Sequence, residues 1–134
     1  MAIKYVVDTH ALIWFLENNP RLGKSASAVL SDPTSDLILP ITALAEACWL
    51  VERGKSSVPS AIALLAAVDA DARVTISALT TEIVRESITM HAISEIHDRQ
   101  IVATTLLIGR DGHRVALLTK DSNIVASKLV DVVW

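Results

Sequence analysis

The sequence predicts an α/β fold of three layers, with a mainly parallel central sheet of four to five strands. Its short apolar runs have the near-continuous character of strands buried on both faces, not the alternation of a half-solvated sheet. Longer stretches carrying helix start and stop signals separate them. The acids Asp8 and Asp121 lie just beyond two of the runs, and in doubly wound folds ligands bind outside the carboxyl ends of the strands.

The first strand is expected at residues 3–7 and leads directly into Asp8. A helix over residues 11–17 ends at Asn18-Asn19-Pro20, and a short one over 25–30 is stopped by Asp32-Pro33, since proline cannot continue a helix. The second strand falls at 37–39, followed by a helix over 43–53 that ends at Gly54, the residue type best suited to the left-handed turn after a helix. A helix over 60–68 follows Pro59, the third strand takes 74–76, and a helix runs over 81–90. The last long helix, 99–108, gives way to a loop marked by Gly109 and Asp111-Gly112, before strands at 115–118 and 130–133. No repeat, linker or low-complexity segment interrupts this order, so residues 1–134 are expected to form a single domain.

Apolar residues make up 51% of the chain against 20% charged, and the mean hydropathy of +0.45 is high for a monomer that must cover itself with polar groups. Some apolar surface is therefore expected to face a protein partner. No run approaches the roughly 18 uncharged residues of a membrane span, and Met1-Ala2-Ile3-Lys4 enters a strand at once, so the expected location is the cytoplasm. The lone Cys48 has no internal disulfide partner and, in an apolar run, is expected to pack as a small core residue. A net charge of −3 lacks the footprint of a tight non-specific nucleic-acid binder unless cations offset an acidic site.

Four acids stand where that site would form. Asp8 and Asp121 leave the first and fourth strands, Glu46 lies one turn into the helix after the second, and Asp98 opens the helix leading back to the fourth. Each also has a structural reading. Asp8 and Asp98 suit helix N-caps, Asp98 is able to pair with Arg99, and Asp121 suits a turn. Glu46 is the most informative, because Leu44, Ala45, Ala47, Cys48, Trp49 and Leu50 surround it and position 45, where a capping box from Thr42 would place its Glu, is alanine. An ionised carboxylate among apolar neighbours is costly unless paired or metal-bound. Converging carboxylates raise one another's pKa and call for a cation, and magnesium or manganese suits oxygen donors. Zinc is disfavoured, because there is one cysteine and His10, His91, His97 and His113 form no i,i+3 or i,i+4 pair.

The segment Val6-Val7-Asp8-Thr9-His10-Ala11-Leu12-Ile13-Trp14 resembles the opening motif of PIN domains, particularly VapC-like toxins of bacterial toxin-antitoxin pairs. Ala45-Glu46-Ala47 with Val51-Glu52-Arg53-Gly54-Lys55 is similar to the family's acidic helix and its exit. Asp98-Arg99-Gln100-Ile101-Val102-Ala103-Thr104 resembles its Asp-Arg segment, and Leu117-Leu118-Thr119-Lys120-Asp121 its final strand and acid. The resemblance spans essentially the whole chain in order. It departs at Glu95-Ile96-His97, where relatives often carry an Asp-Pro pair, and at Ser122 and Asn123, where some relatives have a further acid.

What the resemblance implies is a metal-dependent endoribonuclease that hydrolyses RNA phosphodiester bonds, the toxin of a toxin-antitoxin pair. Asp8, Glu46, Asp98 and Asp121 would be catalytic and hold one or two Mg2+ or Mn2+ ions, with Thr9 and Thr119 in support, leaving a 5′-phosphate and a 3′-hydroxyl. The implied partners are RNA, with loops or single strands favoured, and a VapB-like antitoxin, and the chain is expected to form a homodimer. Lys24, Arg53, Lys55, Arg99 and Lys120 are the basic candidates for gripping RNA, while Trp14, Phe15 and Trp49 are either core or interface. The rival readings are a non-catalytic binding module of the same fold and an aspartate-based phosphatase. The second acid of dehalogenase-like phosphatases would stand where this chain has His10.

Overall fold

The computed structural model describes residues 2–134. Its elements run β1 (Ile3–Val7), α1 (Thr9–Glu17), α2 (Lys24–Ser31), β2 (Asp36–Pro40), α3 (Ile41–Glu52), α4 (Ala61–Ala70), β3 (Val74–Ser77), α5 (Thr81–Ser87), α6 (Ile96–Arg110), β4 (Arg114–Leu118), α7 (Ser122–Ser127) and β5 (Val132–Val133). The strands form one sheet in the order β3-β2-β1-β4-β5, with every pair parallel. Because β1 is central, both its neighbours cover its edges: Tyr5 pairs with Leu37 on one side and Ala116 on the other. Val6, Leu37, Leu39, Leu117 and Leu118 are fully buried, as continuous apolar strands require.

The chain leaves β1 towards β2 and β3, then returns past β1 to β4 and β5. Right-handed crossovers place α1 to α4 on one face and α5 to α7 on the other. The helix contacts agree, since α1 packs on α2 and α3, α3 on α4, and α5 on α6, which itself packs on β4. The direction of winding reverses between β1 and β4, so the crevice at their carboxyl ends is the natural place for a site. α3 and α6 also meet, joined by a hydrogen bond from the Thr42 hydroxyl to Gln100 Oε1 at 2.8 Å.

Local chemistry explains where the elements end. α1 closes on Asn18 in the left-handed conformation, and α3 is followed by Gly54 at φ +71. Two ties hold the periphery. Glu17 accepts from Ser56 Oγ and Ser57 N, fastening the end of α1 to the loop after α3. Arg73 binds Asp71 and donates to the Leu30 and Asp32 carbonyls, covering the exposed end of α2.

The structure corrects several element boundaries. α5 stops at Ser87, short of Met90, because the chain tightens into turns in which Met90 N donates to Ser87 O. α6 starts at Ile96 instead of residue 99, since Glu95 caps it. β5 is confined to Val132–Val133, and α7 was not anticipated at all. Cys48 is half-buried at the edge of the core, where burial, with Glu52 nearby, raises its thiol pKa. Trp14 is 8% exposed and belongs to the core, Phe15 packs partly buried against it, and Trp49 lies in solvent at 54%. Among the described residues no helix is long and apolar enough to cross a membrane.

Candidate active site

At the carboxyl edge of β1 and β4 lies a cleft of about 530 Å3 whose walls include Asp8, Glu46, Asp98 and Asp121. Elements distant in sequence thus bring the four expected acids together. Asp8 follows β1 and caps α1, Glu46 projects from α3, Asp98 lies in the first turn of α6, and Asp121 follows β4 and caps α7.

Asp8 is the most constrained. It is 7% exposed, its Oδ1 accepts from Thr9 N at 2.7 Å, and its Oδ2 accepts from the Thr119 hydroxyl at 2.5 Å. Burial raises its pKa, and those two hydrogen bonds oppose the rise without cancelling it. The Thr119 oxygen in turn accepts from Asp121 N at 3.1 Å, so one buried hydroxyl positions the carboxylate after β1 against the backbone after β4. Asp121 Oδ1 accepts from Asn123 N and Ile124 N, the cap that starts α7. Thr9 supports Asp8 through its backbone and not, as expected, through its hydroxyl, which is buried without a partner among the described residues.

Asp98 is held differently. Half-buried, its carboxylate accepts no hydrogen bond among the described residues, and its pKa is raised to about 7 by burial first, then by Asp121, Asp8, Glu95 and Glu46. Neither structural reading of Asp98 holds, because Glu95 is the residue that caps α6, accepting from Asp98 N at 2.9 Å, while Arg99 Nε donates to the Ile93 carbonyl. The Asp98 side chain is therefore left for the cleft.

Two further residues emerge from the structure. Glu95 lines the cleft, and with Glu46 and His97 it forms a group whose ligand atoms lie within 4.8 Å of one another. His97 Nδ1 sits 2.6 Å from Glu95 Oε1 and 3.7 Å from Glu46 Oε2. Burial raises the Glu95 pKa, but hydrogen bonds from His97 and Asp98 outweigh it and the net shift is downward. The signal was present in the sequence as an acid three residues before Asp98, the N-cap to N3 spacing. A cationic wall faces the acids: Lys120 lines the cleft, its Nζ 4.6 Å from the Trp14 ring centroid. Of the other basic candidates, Arg53 lies against Trp49, and Lys24, Lys55 and Arg99 do not line the cleft.

Trp134 closes the cleft, packed edge-on against Trp14 at a centroid distance of 5.8 Å, while its carbonyl accepts from Ser25 N at 3.1 Å. Gly23 makes this approach possible, because a Cβ there would stand 2.4 Å from the Trp134 backbone carbon.

The donor set of the cleft, carboxylates with no thiolate, matches hard divalent cations, and Asp98 is pushed upward by burial and by the four acids beside it. On both counts the residues fit such an ion.

Comparison with known proteins agrees with the fold. The PIN-domain family model matches residues 5–128. The solved structure of the sarcin-ricin-loop-cleaving toxin VapC20 of Mycobacterium tuberculosis is similar with a TM-score of 0.69 at 18% identity, covering 96% of this chain and 98% of that one. A chain of the VapBC2 complex of Rickettsia felis, solved with a promoter DNA fragment, gives 0.69 at 12% identity with 97% of each chain covered. FitAcB of Neisseria gonorrhoeae gives 0.57 at 17%, covering 96% of this chain and 95% of that one. At these identities the structures establish shared fold. No curated protein sequence matches significantly.

Proposed function

The chain belongs to the PIN-domain family, and from that premise we propose that it is a divalent-metal-dependent endoribonuclease acting as the toxin of a toxin-antitoxin pair. One observation carries the reading: four acids line one cleft, and the Asp98 carboxylate among them has no hydrogen-bond partner among the described residues, with its pKa raised to about 7 by burial and then by Asp121, Asp8, Glu95 and Glu46. Among the described residues no arginine or lysine salt bridge relieves Asp8, Glu46, Asp98 or Asp121, which supports a bound cation as their partner.

Asp8, Glu46, Asp98 and Asp121 are the residues that would hold one or two Mg2+ or Mn2+ ions. When bound, such an ion activates water and offsets charge developing on the phosphate. The chain's own contributions are positional. Thr119 and Thr9 N keep Asp8 in one rotamer, and the α7 cap fixes Asp121 Oδ1. Lys120, held over the Trp14 ring, is the cation on the cleft wall that would meet a phosphate, and Trp134 forms the wall beside it. No observation favours the phosphatase reading, since His10 stands where its second acid belongs.

A protein partner is part of the proposal. Ile62 and Leu65 on α4 are 78% and 38% exposed, Ile88 beyond α5 is 63% exposed, and exposed apolar groups of this size favour coverage by another chain. An antitoxin and a second copy are the expected occupants, in keeping with the VapBC2 and FitAcB assemblies.

The test is cleavage of a mixed RNA pool with magnesium, with manganese and with EDTA, run beside Asp8→Asn. Metal-dependent cutting that the variant lacks supports the nuclease. A folded protein that neither cuts nor binds manganese would leave the non-catalytic module as the better reading.

A further inference from the structure

Beside the acid cleft lies a second hollow of about 740 Å3 that shares Glu46 and Glu95 with it. Ile41, Trp49 and Leu79 form its apolar walls, exposed by 37%, 54% and 43%. Trp49 is the unusual member. α3 buries Thr42, Ala43, Leu44, Ala47 and Val51, yet holds this indole in solvent next to the cleft. Arg53 lies with its Cζ 4.7 Å from the indole centroid, outside the walls of the hollow. At the polar side, the Thr42 hydroxyl holds Gln100 Oε1 at 2.8 Å, which orients the amide and leaves its NH2 without an acceptor among the described residues.

We propose that this hollow is a nucleobase subsite: an unpaired base of the RNA strand, next to the phosphate held at the acids, stacks on Trp49 and accepts a hydrogen bond from the Gln100 amide. The inference rests on the nuclease reading. Continuity decides the occupant, because a strand whose phosphate sits among the acids must send an adjoining nucleotide across the shared Glu46 and Glu95 wall. That wall carries the two carboxylates, with the His97 imidazole already held against both, so the uncharged base and not a phosphate belongs there. An indole platform with one pre-set amide donor suits a flat heteroaromatic ring, and stacking on tryptophan is the usual way proteins hold single-stranded nucleic acid. Arg53 lies over the indole from outside the hollow, so the face of the ring turned to the hollow is the one for the base.

The experiment compares Trp49→Leu and Trp49→Phe with the parent on a short single-stranded RNA that the parent cuts, and on the same RNA with an abasic ribose at each position flanking the cut. Trp49→Leu is expected to raise KM by about tenfold, the size of one lost base stack, and Trp49→Phe to recover most of it. The abasic substitution at the subsite position should raise the parent's KM by a similar factor and leave Trp49→Leu unaffected. A Trp49→Leu loss that persists on the abasic RNA, or no loss at all, overturns the subsite. So does a change from dimer to monomer on sedimentation that accounts for the loss, which would make the hollow a contact between copies. If the parent cuts no RNA, the nuclease reading fails separately. Equilibrium binding of the same labelled strands then decides the subsite, and binding indifferent to both Trp49 and the base rejects it.

Discussion

Asp8 and Asp98 face the same cleft and both have raised pKa values, but they are built in opposite ways. Asp8 is buried at the end of the central strand with each oxygen occupied, by Thr9 N and by Thr119. Asp98 rides on the first turn of a surface helix with no hydrogen bond to its carboxylate, facing four other acids. The comparison separates two tasks within one site: the β1–β4 side fixes geometry, and the α6 side stores uncompensated charge. A cation is thus expected to be positioned by the first and attracted by both.

The widest test of that division is removal of either acid. Asp8→Asn and Asp98→Asn are each expected to reduce RNA cleavage by at least about a hundredfold, beyond the 10- to 100-fold typical of a supporting residue around a metal. They should part company in stability. Asp98→Asn removes repulsion and is expected to melt no lower than the parent at neutral pH without metal, whereas Asp8→Asn disturbs a buried hydrogen-bonded pair and should melt lower. Equal melting temperatures would erase the distinction.

Next in size is Thr119→Val, which deletes the hydroxyl bridging Asp8 and Asp121 N. Cleavage should drop by roughly 10- to 100-fold, with stability down by about 1–3 kcal/mol for the groups left unpaired. Thr119→Ser keeps the bridge and should restore most activity, so a serine variant as poor as valine would show that the methyl, not the hydroxyl, matters.

The charge side is sharpened by pH. The folded pKa of Asp98, about 7, lies above its ordinary 3.8, so between these values the native state holds a proton that the unfolded chain has lost. The metal-free protein is therefore stabilised at low pH by this group and loses that contribution as pH rises through about 7. Acids with lowered pKa, such as Glu17 and Asp71, act below that window and in the opposite sense. The difference in melting temperature between parent and Asp98→Asn should widen in the variant's favour from about pH 5 to pH 8. Manganese should raise the parent's melting temperature near pH 8 and leave Asp98→Asn nearly unmoved. A pH-independent difference would remove Asp98 as the store of charge.

The smallest of the expected effects on chemistry comes from the far wall. Gly23→Ala would force its Cβ to 2.4 Å from the Trp134 backbone carbon, which displaces Trp134 from the cleft. Stability should fall by roughly 1–3 kcal/mol, with cleavage changed less than by Thr119→Val. Crystallography or loss of the Trp14–Trp134 contact in tryptophan fluorescence would check it.

These two sides also differ in how far the sequence disclosed them. The strands and the acids at their exits were legible, because a parallel sheet needs continuous apolar runs and its ligands sit at the carboxyl ends. Thr119 was legible by adjacency alone. α7 was not, since a helix of six residues burying only Ile124 has no measurable period and Asp121 reads as a turn until its cap is seen. Glu95 and His97 stayed hidden because their place depends on the first turn of α6, whose start the sequence put three residues late. The exposure of Trp49 was equally unreadable. α3 is apolar on most sides, and only its packing on α1, α4, α6 and β2 decides which of its faces stays open.

The place of β1 in the sheet carries a consequence for how the protein comes into being. β1 precedes the other strands in chain order, yet its register pairs Ile3 with Arg114, and the last of the four acids is Asp121. An emerging chain carries Asp8 and Glu46 long before it has anything to close them against. Pairing across such a sequence separation is slow, and until it occurs the apolar edge of β1 lies open to other chains. The four acids of the cleft thus come together only once β4 has paired with β1 and carried Asp121 to Asp8.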